Sequence, residues 1–262
     1  MTRKQRFVST VLPPVVVLIL ATAGLELAVR IFQIQPFLLP APSRVAGALW
    51  KYRDELAISL WTTAQAALIG FVASAVFGIL LAIPLSAWPL ARRAFYPYTV
   101  FFQTVPIIAI APLLVIWINP GLESTATCAF VVSVFPVIAN TLTGMLSTDP
   151  ALVDLFRLYD AGAWARLWKL RLPSAIPSIM TGLRIAAGLA VIGTVVGEFF
   201  VGLLGEAEGL GVRIVAANKV GKTDLLFAAV LMASLLGLAM FAGVNLAAKL
   251  LLRHWHASEK DT

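Results

Sequence analysis

Apolar runs of about 20 residues or more recur along this chain of 262 residues, and they constrain its fold more than any other feature. A helix needs about 20 mostly apolar residues to cross a bilayer, because the hydrocarbon core is about 30 Å thick. Runs of this length satisfy their backbone hydrogen bonds as helices, since no water reaches the core. The sequence therefore predicts an all-α integral membrane protein with six transmembrane helices, at about residues 8–31, 60–88, 96–117, 125–146, 179–201 and 225–252.

The composition excludes several other classes of protein. The chain is 60% hydrophobic and 13% charged, whereas a soluble domain averages about 25% charged residues. The net charge of +7 is spread through the segments between apolar runs, where a membrane topology requires it, so no nucleic-acid partner is expected. The single cysteine, Cys128, lies inside an apolar run, so neither a disulfide framework nor a metal site is expected.

One long polar interruption, residues 147–177, separates the fourth and fifth predicted spans. Asp149 and the proline after it predict the capped start of a helix. Residues 160–162, Asp-Ala-Gly, predict its end, because glycine permits the left-handed backbone of a C-terminal cap. A second helix is expected over about residues 164–170, with Leu172-Pro173 ending it. Neither helix is long enough to cross a bilayer, so the pair is expected to lie outside the hydrocarbon.

Two interpretations of this helix pair remain open from the pattern alone. An amphipathic linker would lie in the headgroups, with its basic residues on anionic membrane lipid. A docking element would instead offer its aromatic and charged side chains to a soluble partner.

A specific pattern in this stretch bears on that choice. Counted back from Leu172-Pro173, Asp154 stands in an acidic position, Leu155 and Phe156 follow it, and Asp160 stands where a glycine is usual, with Gly162 two residues later. The arrangement resembles the cytoplasmic coupling loop, or EAA loop, of ABC importer permeases. The resemblance covers nearly the whole chain, including VPIIAIAPLLVIW and LPSAIPSIMTGLRIAAGLAVIGTVVGEF. It points to the branch that imports nitrate, sulfonates such as taurine, and vitamin or pyrimidine precursors.

The resemblance implies a role and a set of partners. It implies a single permease domain over residues 1–262 in the bacterial inner membrane, with the coupling helix pair between spans four and five and no enzymatic activity. Two copies would form the translocation path, a cytoplasmic ABC ATPase dimer would hold ATP and Mg²⁺, and an extracytoplasmic solute-binding protein would deliver the solute. No cofactor is expected in this chain. The implied ATPase-coupling residues are Asp154, Leu155, Phe156, Asp160, Ala161, Gly162, Trp164, Arg166, Trp168, Lys169, Arg171 and Pro173.

Candidate path residues gather around the third predicted span, residues 96–117, which contains three prolines. An internal proline removes a backbone hydrogen bond and leaves carbonyls that must face protein or a wet cavity. A kinked packing helix is the alternative interpretation of this span, and a simple interfacial position is the alternative for Glu198. The predicted path residues are Gln103, Thr104, Pro106, Trp117, Asn119 and Glu198.

The distribution of positive charge predicts the orientation. With both termini in the cytoplasm, 13 of the 20 Lys and Arg residues fall on the cytoplasmic side, as the positive-inside rule requires. This assignment places residues 147–177 in the cytoplasm. The 13 residues are Arg3, Lys4, Arg6, Arg92, Arg93, Arg157, Arg166, Lys169, Arg171, Arg184, Lys249, Arg253 and Lys260.

The sequence lacks a source of energy of its own. It contains no nucleophile elbow, HExxH motif or P-loop. A pump driven by protons or sodium would bury several ionisable residues at mid-membrane, and the predicted spans hold few. A separate ATPase would supply the energy that this chain cannot provide, and an ion-coupled secondary transporter is the alternative function.

Overall fold

The computed structural model describes residues 3–205 and 208–252. No β-strand occurs in these two ranges, where the regular elements are all helices, and this confirms the predicted all-α fold. Five of the described helices are long and apolar enough to cross a membrane, and a bent pair brings the number to six when it counts as one span. The helices are α1 (Arg3–Ile31), α2 (Pro42–Lys51), α3 (Arg53–Ala87), α4 (Pro89–Thr104), α5 (Ile107–Ile118), α6 (Leu122–Leu146), α7 (Pro150–Leu158), α8 (Ala163–Arg166), α9 (Leu172–Leu203), α10 (Leu210–Lys219) and α11 (Thr223–Leu252).

Helix α9 lies at the centre of the fold and contacts α3, α5, α6, α10 and α11. Its small residues permit this, because small side chains let membrane helices approach closely. A Cβ atom added to Gly193 would lie 2.7 Å from the carbonyl oxygen of Cys128 on α6, which leaves room for hydrogen only. Ala186 and Ala190 on the same helix are fully buried. The α6–α9 contact is therefore set by residue size.

The third predicted span, residues 96–117, is not one continuous helix. Helices α4 and α5 meet at an angle of 95°. Val105, between them, has an extended backbone with φ −69° and ψ 121°, because the ring of Pro106 disfavours a helical conformation in the residue before it. Pro106 also has no N–H to continue the hydrogen-bond ladder. Helix α5 then packs on the body of the protein through buried Ala111 and Val115.

The prediction that Leu172-Pro173 ends the second short helix is wrong. Helix α8 continues through a π-helical turn, Leu167–Arg171, directly into α9. In this turn the N–H of Leu172 bonds the carbonyl of Leu167, five residues back, and the wider turn accommodates Pro173, which has no N–H to donate. The hydroxyl of Ser174 donates to the carbonyl of Leu170 over 2.7 Å. The fifth span is thus the continuation of the short helix and not a separate rod.

Candidate functional site

Helices α7 and α8, joined by the turn at residues 159–162, are the helix pair that the sequence predicted in outline, and we call this pair the hairpin. The carboxylate of Asp149 accepts a hydrogen bond from the N–H of Ala151 at 2.9 Å, and Pro150 occupies the first turn of α7. The left-handed residue after α7 is Asp160, with φ 49°. Gly162, predicted to take that conformation, has φ −59° and is instead the N-cap residue of α8, which begins at Ala163. Asp can adopt left-handed backbone because its short polar side chain tolerates it, so the turn forms without glycine at that position.

The end of the hairpin presents large apolar side chains to the outside of the described chain. We call Leu158, Tyr159 and Trp164 the apolar tip; they are 82%, 80% and 71% exposed. The ring of Trp164 meets that of Trp168 edge to face, with centroids 5.6 Å apart. Helix α7 contains no buried residue. An exposed apolar cluster of this kind marks an interaction surface.

The other predicted coupling residues lie around this tip. Asp154, Leu155, Gly162, Trp168 and Lys169 are exposed, whereas Phe156, Ala161, Arg166 and Pro173 are half-buried. Asp154 pairs with the guanidinium of Arg157 at 3.1 Å, one turn along α7. The hairpin thus mixes apolar and charged positions, as its sequence predicted.

The inner side of the hairpin is attached to the rest of the protein. Leu167 and Leu170 are buried, each 6% exposed. The guanidinium of Arg171 donates a hydrogen bond to the carbonyl oxygen of Ser86 at 2.9 Å. Ser86 belongs to the last turn of α3, whose carbonyls have no partner within the helix and favour a cation. At least one donor of Arg171 is therefore used inside the chain.

Five of the six predicted path residues are exposed on the bent α4–α5 segment. Gln103, Thr104 and Pro106 lie at the bend, and Trp117 and Asn119 lie at the far end of α5. The hydroxyl of Thr104 donates to the carbonyl of Phe101 over 2.7 Å and so occupies one backbone acceptor beside the bend. The bend thus places the exposed side chains of Gln103 and Thr104 beside the break in the helix.

Glu198, the sixth predicted path residue, lies in a different place. Its side chain is only 2% exposed. One carboxylate oxygen accepts hydrogen bonds from the hydroxyl of Thr63 at 2.9 Å and from the N–H of Gly211 at 2.8 Å. The hydroxyl of Thr63 in turn accepts from the N–H of Leu210. Glu198 therefore ties α9 to α3 and to the N-terminal turn of α10.

Arg184 is a further polar residue that the sequence did not single out for the path. It is half-buried and lies about 7.5 Å inside the predicted span at residues 179–201, toward the end assigned to the cytoplasm, at 1.5 Å per residue. Its Nε atom is buried and has no hydrogen-bond partner among the residues described. Ionisable residues inside membrane spans are costly and mark functional pathways by default. Its spacing in the sequence gives no sign of this burial.

These features define a class of protein before any comparison. The chain combines membrane-length helices, a broken span and an external helical hairpin continuous with the central helix. The resulting class is a multi-pass membrane permease with a short helical element outside its spans.

The chain belongs to a known family of that class. Residues 74–256 match the family described as "Binding-protein-dependent transport system inner membrane component". The formylaminopyrimidine transport permease protein ThiX of Halalkalibacterium halodurans is 36% identical over 83% of this chain and 86% of its own. The riboflavin transport system permease protein RibX of Chloroflexus aurantiacus is 31% identical over 97% of this chain and 94% of its own.

A solved structure has the same fold. The chain is similar to a permease chain in inward-facing conformations of the MetNI methionine ABC transporter, with a TM-score of 0.60 and 18% sequence identity. The similarity covers 78% of this chain and 97% of the other.

These comparisons confirm the predicted family and function. The chain is the transmembrane permease subunit of an ABC importer, a multi-pass inner-membrane protein and not an enzyme. Its family implies a separate ATPase and a solute-binding protein as partners. The ion-coupled secondary transporter is set aside, because members of this family depend on a binding protein and an ATPase.

Proposed function

We propose that two copies of this chain form one translocation path and that the apolar tip of each copy sits in a cleft of a cytoplasmic ABC ATPase. One observation carries this proposal: the hairpin that bears the tip is continuous with the central helix α9 and tied to α3 through Arg171. Exposed apolar side chains outside the membrane need a cover, and an ATPase cleft supplies one.

The same attachments explain how the arm transmits force. The π-helical turn keeps α8 and α9 as one body, and the hydrogen bond from Arg171 to Ser86 adds α3 to it. When the ATPases close on ATP and Mg²⁺, the tip moves and both helices tilt with it. Such movements of packed helices are shear and rigid-body transitions. They would open the path alternately to the two sides of the membrane.

The bend between α4 and α5 is the proposed gate of the path. Gln103 and Thr104 line it together with Pro106, and Trp117 and Asn119 lie toward its mouth. Support comes from the exposure of these residues and from the backbone freed by Pro106. We assign no direct solute contact to Glu198, because its carboxylate is enclosed by α3 and α10.

The proposed orientation of the chain in the membrane follows from docking of the ATPase on the cytoplasmic side. Docking of the tip requires α7 and α8 on the cytoplasmic side, which places both termini in the cytoplasm when the α4–α5 pair crosses once. The excess of Lys and Arg on that side supports this arrangement. The extreme terminal residues, 1–2 and 253–262, lie outside the described residues.

The proposed cargo is a small heterocyclic solute of the pyrimidine or flavin type. ThiX and RibX, named for formylaminopyrimidine and riboflavin, are 36% and 31% identical over most of this chain. An uncharged aromatic solute suits the Trp, Gln and Asn side chains of the proposed gate. A sulfonate or nitrate is the competing cargo, and the partner binding protein would select between them.

The docking proposal is tested with two exposed tryptophans. Trp164→Ala removes the tip's largest side chain, and Trp50→Ala removes an equally exposed one, 74% exposed, from α2. We expect Trp164→Ala to abolish co-purification of the ATPase and ATP-driven uptake in reconstituted vesicles, while Trp50→Ala retains the ATPase. Retention of the ATPase and of full uptake by Trp164→Ala would refute docking through the tip.

The cargo proposal has its own measurement. Uptake of radiolabelled formylaminopyrimidine, riboflavin and taurine is compared in vesicles that contain the permease, the ATPase and the binding protein encoded with them. Saturable ATP-dependent uptake of one of the two heterocycles supports the proposal. Uptake of taurine alone would contradict the cargo class while leaving the coupling mechanism intact.

A further inference from the structure

We propose that this chain binds one anionic phospholipid within the subunit, with its phosphate among three arginines beside the C-terminal end of α3 and an acyl chain in the cleft between α3, α4 and α6. The proposal is independent of which solute the permease carries.

The headgroup site is a cavity of about 440 Å³ between the hairpin and the end of α3. Arg157, Arg166 and Arg171 are among its lining residues, and Asp154 is the one described carboxylate paired with any of them, at 3.1 Å from Arg157. Arg166 is half-buried and has no ion pair or side-chain hydrogen bond within the described ranges. The cavity therefore holds an excess of positive charge with donors available for an anion. Guanidinium groups match the geometry of a phosphate especially well.

The acyl-chain site is a second cavity of about 650 Å³, and two residues, Pro84 and Trp88, line both cavities. Its lining is almost wholly apolar. Among the lining residues are Phe77, Leu81, Phe95, Phe102, Phe135 and Ile138. Phe102 and Phe135 stack across it with ring centroids 6.0 Å apart. A basic cavity beside an apolar cleft is complementary to an amphiphile with an anionic head.

Other occupants match only half of this arrangement. An acidic side chain of an ATPase would neutralise the arginines but would not fill a cleft formed by membrane helices. A second copy of the chain could cover the cleft but would not by itself place an anion among the three arginines. Basic pockets between transmembrane helices are established binding sites for anionic lipid headgroups. The positive charge and the adjacency of the two cavities together favour the lipid.

The test uses full-length protein in membrane vesicles and phosphatidylglycerol carrying a photoreactive group near the end of one acyl chain. We expect labelling that maps to α4 and α6 residues lining the cleft and that unlabelled phosphatidylglycerol displaces better than phosphatidylcholine. Arg166→Gln should raise the concentration of unlabelled phosphatidylglycerol needed for displacement about fivefold, which is the effect of one basic residue at a membrane surface. Arg157→Gln, combined with Arg166→Gln, should raise that concentration further. Arg93→Gln, an exposed arginine outside the cavity, should leave it unchanged.

Several outcomes would overturn the proposal. Equal displacement by the two lipids, or labelling outside the cleft, would show that no anionic headgroup site exists. An equal loss in Arg93→Gln would show a general effect of surface charge. A disulfide between two copies of a Thr99→Cys variant would show that a second copy covers the cleft instead, because Thr99 lines it. Labelling lost whenever the ATPase is bound would assign the arginines to the ATPase.

Discussion

The guanidinium of Arg171 donates a hydrogen bond to the carbonyl oxygen of Ser86 over 2.9 Å, although 85 positions separate the two residues in the chain. The hydroxyl of Ser86 is itself bonded to the carbonyl of Ile83, one turn back in α3. Ser86 therefore offers its carbonyl from an ordered helix end. The bond gives the hairpin a second attachment besides its continuity with α9, so under the proposed docking a displacement of the tip would move two membrane helices.

Removal of that bond should uncouple transport from ATP hydrolysis. Arg171→Met keeps the length of the side chain but loses every donor, so α3 no longer follows the hairpin. A hydrogen bond from a charged group contributes about 1.5–3 kcal/mol, and we expect solute transported per ATP to fall about ten-fold. Uptake and hydrolysis are measured together in reconstituted vesicles. Arg93→Met, which loses an exposed arginine on α4, is the control. An unchanged ratio in Arg171→Met would show that the bond carries no force.

The left-handed conformation of Asp160 sets the shape of the hairpin. Its φ of 49° is available to Gly at no cost and to Asp at little, but left-handed backbone costs other residues about 1–2 kcal/mol. Asp160→Gly should therefore keep ATPase binding and uptake, whereas Asp160→Val should lower both by roughly ten-fold, since a β-branched residue there is strained. Co-purification of the ATPase gives the measurement. Loss of binding in Asp160→Gly would mean that the carboxylate, and not the turn, is recognised.

Structural features that depend on residues close together in the sequence could be predicted, and features that depend on residues far apart could not. The long apolar runs and the cap at Asp149 are local signals, and the structure has helices at the corresponding places. The break at residues 160–162 was also predicted, but the rule that glycine takes the left-handed position assigned it to Gly162 and not to Asp160. Local rules thus located the turn within two residues.

One prediction failed although its signal was local. Pro173 stops a helix that stands alone, yet the π-helical turn before it allows α8 and α9 to join. The prolines of the third span predicted a bent or broken helix, and the break lies at Pro106 with an angle of 95°. The partner of Glu198, Thr63, is 135 positions away, so no spacing rule could find it. Only that last pairing depends on packing between distant segments, which a local pattern does not contain.

The buried carboxylate of Glu198 should be structural, and its removal should destabilise the fold. Glu198→Ala leaves the N–H of Gly211 without its acceptor, whereas the hydroxyl of Thr63 can still donate to the carbonyl of Ser59 at 2.9 Å. A buried unpaired group costs about 1–3 kcal/mol. Glu198→Gln retains one oxygen that can accept both bonds, and its amide replaces the oxygen that has no partner among the described residues. We expect a melting temperature in detergent several degrees lower for Ala than for Gln. Equal melting temperatures would assign Glu198 a different role.

Close packing of α9 on α6 should make Gly193 intolerant of even a methyl group. The added Cβ would lie 2.7 Å from the carbonyl oxygen of Cys128 and 2.9 Å from the Cα of Ala129, which are backbone atoms that cannot rotate away. Overpacking of this kind costs about 1–3 kcal/mol. Gly188→Ala on the same helix is the matched control, because its Cβ would meet nothing within 4 Å. Thermal melting of the two variants should separate them clearly, and similar melting would show that α6 can shift without cost.

We expect Arg184 to contribute to transport while lowering the stability of the folded protein. Its buried Nε has no partner in the described part of the chain, and a buried polar group without a partner costs about 1–3 kcal/mol. Arg184→Met keeps the unbranched stem and removes the polar head, so the melting temperature should rise or stay constant.

If the guanidinium faces the translocation path, uptake should fall by at least about ten-fold, as an intramembrane ionisable residue predicts. A rise in melting temperature with unchanged uptake would exclude Arg184 from the path, and a fall in melting temperature would show that its head has a structural partner. Assembly with the ATPase, measured in the same preparation, separates either result from a failure to assemble.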